Sequence, residues 1–174
     1  IYWYAKAAAP GHGKAILGDL SKTRRNAMLI LQSCARDDGG MLRKCLPMPG
    51  VAVFSGHMID RPDRAVPRFP PALEAAVGRA VEARLLEHGC GIGYASAACG
   101  ADIIFHESIR RLGGESHVIL PYDERLFLDD CVRYPAEGGW TARFESVLEY
   151  AVDVFTVSQH GPVRGGLNYR YTNG

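Results

Sequence analysis

Short apolar runs alternate with amphipathic helical segments through the last two-thirds of the chain, and this alternation limits the fold more than any other feature. The pattern predicts strands at 51–55, 91–95, 117–120 and 152–157, helices at 72–88, 100–112 and 140–150, and a broken helical stretch at 125–131. Strands and helices joined by short links are typical of right-handed βαβ units, whose strands form a parallel sheet. The sequence therefore predicts an α/β fold with a Rossmann-like parallel sheet flanked by helices.

Two of the predicted helices have a clear apolar face. In 72–88, apolar side chains recur at every fourth position, at Leu73, Val77, Val81 and Leu85. In 100–112, the apolar positions are Ala101, Ile104, Phe105, Ile109 and Leu112. Because side chains four residues apart lie on the same side of a helix, both segments are expected to pack against the sheet.

Residues 1–36 have a different pattern, which predicts an N-terminal αα-hairpin that turns at Gly18 and Asp19. The apolar face of its second helix contains Ala27, Leu29, Ile30, Leu31 and Cys34. Residues 37–50 contain two prolines and a Gly-Gly pair, and predict a linker to the sheet domain at 51–174. The chain begins at Ile1 and stops in a strand-like run, so we expect a segment of a longer protein whose sheet domain is incomplete at its C-terminus.

Composition argues against several classes of partner. The chain has twenty basic and nineteen acidic residues, and its basic residues form no continuous block. We therefore expect neither nucleic acid nor a membrane surface as a partner. No apolar run approaches the roughly 18 residues of a membrane span. The five cysteines are scattered without a C-x-x-C pair, which favours reduced thiols in a cytoplasmic protein over disulfides or a metal site.

The loop after the first strand combines small and basic residues that suit an anionic ligand: Ser55, Gly56, His57, Arg61, Arg64 and Arg68. A glycine lets the backbone turn sharply beside a ligand, and arginine binds phosphate through a planar fork of donors. The alternative is a solvated loop in which the arginines pair with Asp60 and Asp63.

The loop after the second strand is built of small residues and leads directly into a helix. Ala98, Cys99 and Gly100 would let backbone N–H groups and the helix dipole face an anion, although tight packing of helix on sheet demands the same residue types. Asp102 is expected to cap this helix, with a ribose hydroxyl or a metal ion as alternative partners. Pro121, directly after the third strand, completes the predicted ligand-binding set.

Three polar residues on the helix at 100–112 are candidates for catalysis. Asp102 and His106 lie four residues apart on one face, and Glu107 is adjacent. A carboxylate beside an imidazole can perform acid–base chemistry, but pairs at this spacing are usually salt bridges on the surface. A glycine-rich run at 11–15 lacks the spacing of a phosphate-binding P-loop and follows no predicted strand, so we do not interpret it as one.

Several segments resemble a known group of bacterial proteins, namely 54–60, 67–70, 97–103, 118–122 and 140–144. In that group a tetratricopeptide-type helical region precedes a SLOG domain, the Rossmann-like superfamily of the Lonely Guy phosphoribohydrolases and DprA. The run from Tyr2 to Asp19 is similar to the last helical hairpin of that region, which is related to the TRAF-associated regulatory segment of apoptosis signal-regulating kinases. The resemblance implies a nucleotide-type ligand at Gly56, Ala98, Cys99 and Gly100.

The sequence departs from the Lonely Guy enzymes in the residues of their reaction. It has no P-G-G-x-G-T segment, and 96–99 replace the first glycine cluster. Binding is therefore the safer expectation: a module of a larger signalling protein that senses a nucleotide or a nucleotide derivative, without a cofactor. The resemblance implies tetratricopeptide or cyclase domains of the same chain as partners. The alternatives are a nucleoside 5′-monophosphate phosphoribohydrolase and a scaffold that binds no ligand.

Overall fold

The computed structural model describes residues 16–34, 40, 44, 48–134 and 137–158. The chain divides into two compact units, Ile1–Gly50 and Val51–Gly174. Helix α1 of the first unit spans Ile16–Ser33 and passes through Gly18 and Asp19 without the break that the predicted hairpin turn requires. A single glycine costs a helix only about 1 kcal/mol, so it does not force a turn. Residues 1–15 of the predicted hairpin and most of the predicted linker lie outside the described residues.

The apolar face of α1 is narrower than predicted. Ala27 and Leu31 are half-buried beside Met28 and Met48. The other members of the predicted face, Leu29, Ile30 and Cys34, are exposed. Residues 27, 28 and 31 share one side of a 3.6-residue period and residues 29 and 30 fall away from it, which explains why these two are exposed. Cys34 lies on the same side as Ala27 but follows the last residue of α1, Ser33.

The helices and strands of the second unit follow the predicted alternation. They are β1 (Gly50–Val53), a 3-10 turn (Pro71–Leu73), α2 (Glu74–Glu87), β2 (Cys90–Ala95), α3 (Ala101–Arg111), β3 (Glu115–Leu120), α4 (Glu124–Cys131), α5 (Trp140–Tyr150) and β4 (Asp153–Thr156). The strands form one sheet in the order β1-β2-β3-β4, with parallel pairing. The predicted α/β fold with a Rossmann-like parallel sheet is confirmed.

One residue of the predicted helix faces is misplaced. Leu73 lies in the 3-10 turn before α2 and is 46% exposed, whereas Val77, Val81 and Leu85 pack into the core. A 3-10 turn advances by three residues instead of 3.6, so the side chain of Leu73 rotates off the face that the periodicity predicts.

The register of the strands separates the two faces of the sheet. Gly93 pairs with Ser116 and Ala95 with Val118, so these four residues share one face. Helix α3 packs on that face, because a Cβ added at Gly93 would lie 2.8 Å from side-chain atoms of Phe105 and Ile109. Helix α3 therefore approaches the sheet closely at a glycine of β2.

The other face of the sheet carries apolar side chains that remain accessible. On this face Tyr94 of β2 stacks on His117 of β3, with ring centroids 4.5 Å apart. Val53 is 78% exposed and Phe155 is 53% exposed. Among the described helices, none combines the length and the apolar character needed to cross a membrane.

Helix α3 is the centre of the core. Its buried residues are Ala101, Asp102, Ile103, Ile104, Phe105, His106, Ser108 and Ile109. Phe105 stacks on Phe54 with ring centroids 4.7 Å apart, which joins α3 to the chain just after β1. The predicted apolar face of this helix is thus buried, and three polar residues are buried with it.

Candidate functional site

The loops after β1 and β2 lie side by side and are hydrogen-bonded to each other. The N–H of Ala101 donates to the carbonyl of His57 at 3.0 Å, and the N–H of Ile59 donates to the carbonyl of Cys99 at 3.1 Å. Together these bonds form a short antiparallel bridge centred on Met58 and Gly100. The structure thus brings the two predicted loops together at one edge of the sheet, as the parallel arrangement of strands requires.

Gly100 allows the two loops to approach this closely. Its φ is +111°, a conformation that side-chain-bearing residues rarely adopt. A Cβ at this position would lie 2.6 Å from the backbone nitrogen of Ile59 and 2.8 Å from the carbonyl oxygen of His57. The bridge between the loops therefore depends on a glycine here.

The side chain of Asp102 also connects the same two loops. Its buried carboxylate accepts a hydrogen bond from the N–H of Gly56 at 3.1 Å and another from the N–H of Ala98. Desolvation by burial raises the pKa of Asp102 to about 6, although these two hydrogen bonds oppose the shift. The expected helix cap is not formed, because the residue at the N-cap is Gly100, which makes no side-chain bond.

A cleft of about 500 Å³ opens beyond the carboxyl end of β1. It is lined by Gly56, His57, Met58, Ile59, Arg61, Asp63, Arg64 and Tyr134. Four of these residues, Gly56, His57, Arg61 and Arg64, are among those that the sequence predicts for an anionic ligand. The cleft is thus the concave surface that these predicted residues line.

Tyr134 closes one side of the cleft and holds Arg61. The guanidinium of Arg61 lies over the Tyr134 ring, 4.5 Å from the ring centroid. The hydroxyl of Tyr134 donates to the backbone carbonyl of Ile59. Desolvation raises the pKa of Tyr134 well above its ordinary value, so the hydroxyl keeps its proton and remains a donor.

The arginine-rich loop folds around a buried carboxylate. Asp60 accepts hydrogen bonds from the backbone N–H groups of Arg68 and Phe69, at 2.7 and 2.8 Å. Its other carboxylate oxygen lies 3.4 Å from Nε of Arg64, which donates to the carbonyl of Val66. The predicted alternative of a loop with internal ion pairs is thus realised at Asp60, while Arg61 and Arg64 still face the cleft.

The other predicted ligand-binding residues do not line the cleft. Ser55 and Arg68 are exposed and Ala98 is half-buried, outside the lining of the cleft. Cys99, Gly100 and Pro121 are buried. The N–H groups of Cys99 and Ala101, at the start of α3, donate to the carbonyls of Cys131 and His57, so the protein itself occupies donors that the sequence offers to an anion.

The candidate catalytic residues make separate structural contacts. The carbonyl of Ser96 accepts from Nε2 of His106 at 2.9 Å, so Nδ1 is the unprotonated nitrogen that accepts from the Ser116 hydroxyl at 2.5 Å. Desolvation by burial lowers the pKa of His106 to about 4. Asp102 and His106 are therefore buried, where the sequence favoured a surface pair.

Glu107 belongs to a different cluster. Its two carboxylate oxygens accept from Nε and Nη2 of Arg143, both at 2.7 Å. The same arginine donates to Glu74 and lies over the ring of Trp140, 4.0 Å from the ring centroid. This network ties α2, α3 and α5 together, and Glu107 does not line the cleft.

Sequence reasoning missed Met58, Ile59, Asp63 and Tyr134 as lining residues. Met58, Ile59 and Asp63 belong to the loop after β1, which the sequence does predict as part of the site. Tyr134 stands 75 residues after Ile59 and enters the site from the segment beyond β3. No local pattern marks Tyr134. Within the described part of the chain, no group of three or more His, Cys, Asp or Glu side chains is placed to hold a metal ion.

The fold and the cleft define an α/β parallel-sheet protein with a polar, arginine-bearing cleft beyond its first strand. No protein-family model matches the chain, and no curated protein matches it at a significant level of similarity. The resemblance to SLOG domains therefore stays a prediction.

Proposed function

We propose that the second unit is a binding module for a small, anionic, nucleotide-type ligand. The observation that carries this proposal is the cleft itself, in which two guanidinium groups, an aromatic ring and a glycine backbone converge beyond the carboxyl end of β1. Ligands of open parallel sheets bind beyond the carboxyl ends of the strands. The cleft volume of about 500 Å³ suits a ligand of nucleotide size.

The guanidinium groups of the cleft favour an oxyanion through their donors. Arg61 and Arg64 line the cleft with Asp63, and a carboxylate oxygen of Asp60 lies 3.4 Å from Nε of Arg64, so this preference rests on the arginine forks and not on a net positive charge. A guanidinium matches phosphate with two parallel donors, and its flat face accepts a planar base by stacking. A ligand with both a phosphate and a base uses both properties, which supports a nucleotide or a nucleotide derivative.

The resemblance to SLOG domains supports the same class of ligand, and it extends the proposal to a sensor in a larger signalling protein. Such a sensor requires the ligand to favour one arrangement of the neighbouring domains over another. Hydrolysis has no comparable support. Asp102, His106 and Glu107 are engaged in bonds within the protein and do not line the cleft.

Isothermal titration calorimetry of the full chain against AMP, ADP, ATP and ribose 5-phosphate tests the proposal. We expect binding to at least one of these compounds, weakened about tenfold or more by Arg61→Ala or Arg64→Ala because each removes a charged donor. Arg84→Ala is the matched control, since Arg84 pairs with Glu87 on the exposed side of α2.

Two results would contradict the proposal. One is the absence of binding at millimolar concentrations of all four compounds by a protein whose circular dichroism shows that it is folded. The other is an equal loss of affinity in the Arg61→Ala and Arg84→Ala variants, because this would indicate nonspecific charge attraction.

A further inference from the structure

We propose that Tyr134 is a positioning residue that fixes Arg61 as the phosphate-binding group of the cleft. This inference rests on the proposed function and names the part of the ligand that the cleft recognises. The observation behind it is the contact in which the Arg61 guanidinium lies over the Tyr134 ring at 4.5 Å.

Arg61 is a long, flexible side chain that a positioning partner would order. It lies in an exposed loop, where an arginine side chain samples many rotamers. Ordering such a side chain when a ligand arrives reduces affinity, whereas a side chain already held in place binds at a smaller entropic cost. A guanidinium within about 6 Å of an aromatic centroid is held by cation–π attraction, and the N–H groups at its edge stay available to a ligand.

Tyr134 is itself fixed by the loops that form the cleft. Its hydroxyl donates to the carbonyl of Ile59, and the N–H of Ile59 donates to the carbonyl of Cys99. The Tyr134 hydroxyl is also a hydrogen-bonding neighbour of the Cys99 thiol. The ring that supports Arg61 is therefore anchored to both the loop after β1 and the loop after β2.

The fixed position of the Arg61 guanidinium determines which chemical group of a ligand the cleft recognises. A guanidinium held at one place presents two parallel donors, which fit the two oxygens of a phosphate group and are unused by a neutral nucleoside. The cleft is therefore expected to bind AMP in preference to adenosine. The Tyr134 ring contributes through Arg61 and not through a contact of its own with the phosphate.

The first experiment measures Arg61 in the free protein. The heteronuclear NOE of its Nε–H group reports the mobility of the side chain on the picosecond to nanosecond timescale. We expect a rigid Arg61 in the wild type, a mobile Arg61 in Tyr134→Leu, and an intermediate mobility in Tyr134→Phe, which keeps the ring but loses the hydroxyl that anchors it. A mobile Arg61 in the wild type, or an equally rigid one in Tyr134→Leu, overturns the inference without reference to any ligand.

The second experiment is a double-mutant cycle with AMP as the probe. Tyr134→Leu should weaken AMP binding about twofold to fivefold, as expected for a partly exposed cation–π contact. Tyr134→Phe keeps the ring and loses only the hydroxyl contacts, so it should weaken AMP binding less than Tyr134→Leu does. In an Arg61→Ala background, Tyr134→Leu should cause no further loss, because its effect passes through Arg61.

The outcomes separate this inference from the proposed function. If the wild type binds AMP but the losses from Arg61→Ala and Tyr134→Leu are additive, the positioning role is wrong and the proposed function stands. If adenosine binds as tightly as AMP, the phosphate assignment is wrong while a binding module remains. If the folded wild type binds none of the nucleotides tested, the proposed function fails and the phosphate assignment fails with it.

Discussion

The backbone N–H of Gly56 donates a hydrogen bond to the carboxylate of Asp102 at 3.1 Å, across 46 residues of sequence. This bond joins the loop after β1 to the first turn of α3, directly under the cleft. Asp102 is only 6% exposed, so the bonds from Gly56 and Ala98 partly offset a large desolvation cost of its carboxylate. The shape of the cleft therefore depends on a buried charged group that titrates close to physiological pH.

Asp102 should make the protein less stable as the pH rises from about 4 to about 6. Its pKa is about 6 in the folded state and 3.8 ordinarily, so the folded state binds more protons in this range. The contribution is fully present below pH 3.8 and is lost as the pH rises through 6, by about 3 kcal/mol in total. Urea unfolding of the wild type and of Asp102→Asn from pH 4 to 7.5 measures it, because the difference in stability between the two proteins should change with pH by about this amount.

The exposed carboxylate of Asp129, which pairs with Arg133 on the surface, supplies the control for this titration. Asp129→Asn is introduced into the wild type and into Asp102→Asn. The difference between these two proteins in the slope of stability against pH should stay the same. If Asp102→Asn has the same pH dependence as the wild type, Asp102 does not carry the titration that its burial implies.

His106 should act in the opposite direction. Its pKa is about 4 in the folded state and 6.5 ordinarily, so the unfolded state binds more protons between these values. Stability is therefore lost as the pH falls from 6.5 towards 4, by about 3 kcal/mol in total. The slopes of His106 and Asp102 oppose each other in the wild type between pH 4 and 6, so each is measured as the difference between the wild type and the variant that lacks the group.

The variant His106→Gln should separate the two contributions. At pH 7.5 it should be less stable than the wild type by roughly 1–3 kcal/mol, because the Ser116 hydroxyl and the Ser96 carbonyl lose well-placed partners. That difference should shrink as the pH falls to 4. A constant difference at every pH would show that His106 is protonated as readily in the folded protein as in the unfolded chain.

Gly100→Ala should be far more destabilising than Gly89→Ala. Both glycines have positive φ, +111° and +60°, but a Cβ at Gly89 meets nothing within 4 Å. Gly89→Ala should therefore cost about 1 kcal/mol from backbone strain alone. At Gly100 the Cβ collides with backbone atoms of Ile59 and His57, so we expect a cost of about 3 kcal/mol or more.

Denaturant unfolding of the two variants compares these costs directly. Because the collision at Gly100 lies in the bridge between the loops, Gly100→Ala should also widen the cleft and weaken any ligand that binds there. Equal stabilities of the two variants would mean that the loops separate readily and that their bridge contributes little.

The sequence predicted the fold well because its main signals are local. Apolar positions at helical spacing in α3, the glycines that end helices and the apolar runs of the strands all act within a few residues. For the same reason the bounds of α5, Trp140–Tyr150, agree with the prediction. The edge at which the two loops meet also followed, since parallel strands place their carboxyl ends together.

The site was predicted less completely because its contacts are distant in sequence. Asp102 was expected to cap its own helix, but its partner is Gly56, and only the folded chain brings the two together. Tyr134 reaches Arg61 from the segment after α4. His106 was expected at the surface because its spacing from Asp102 is that of a surface pair, yet α3 is covered by packing on more than one side and buries both.

Cys99 should resist alkylation in the folded protein, although its place just before α3 is one that often activates a thiol. The side chain is fully buried, and desolvation raises the pKa of Cys99 to about 11. Only about one thiol in a thousand would then be ionised at pH 8, and iodoacetamide cannot reach it without local unfolding.

Cys34 is exposed and should be alkylated in the same sample, which gives an internal control. Mass spectrometry of the peptides, with denaturant added in steps, should show Cys99 reacting only where unfolding begins. Equal rates of alkylation at Cys34 and Cys99 in native conditions would mean that the loop after β2 opens readily, and the bridge that shapes the cleft would then be transient.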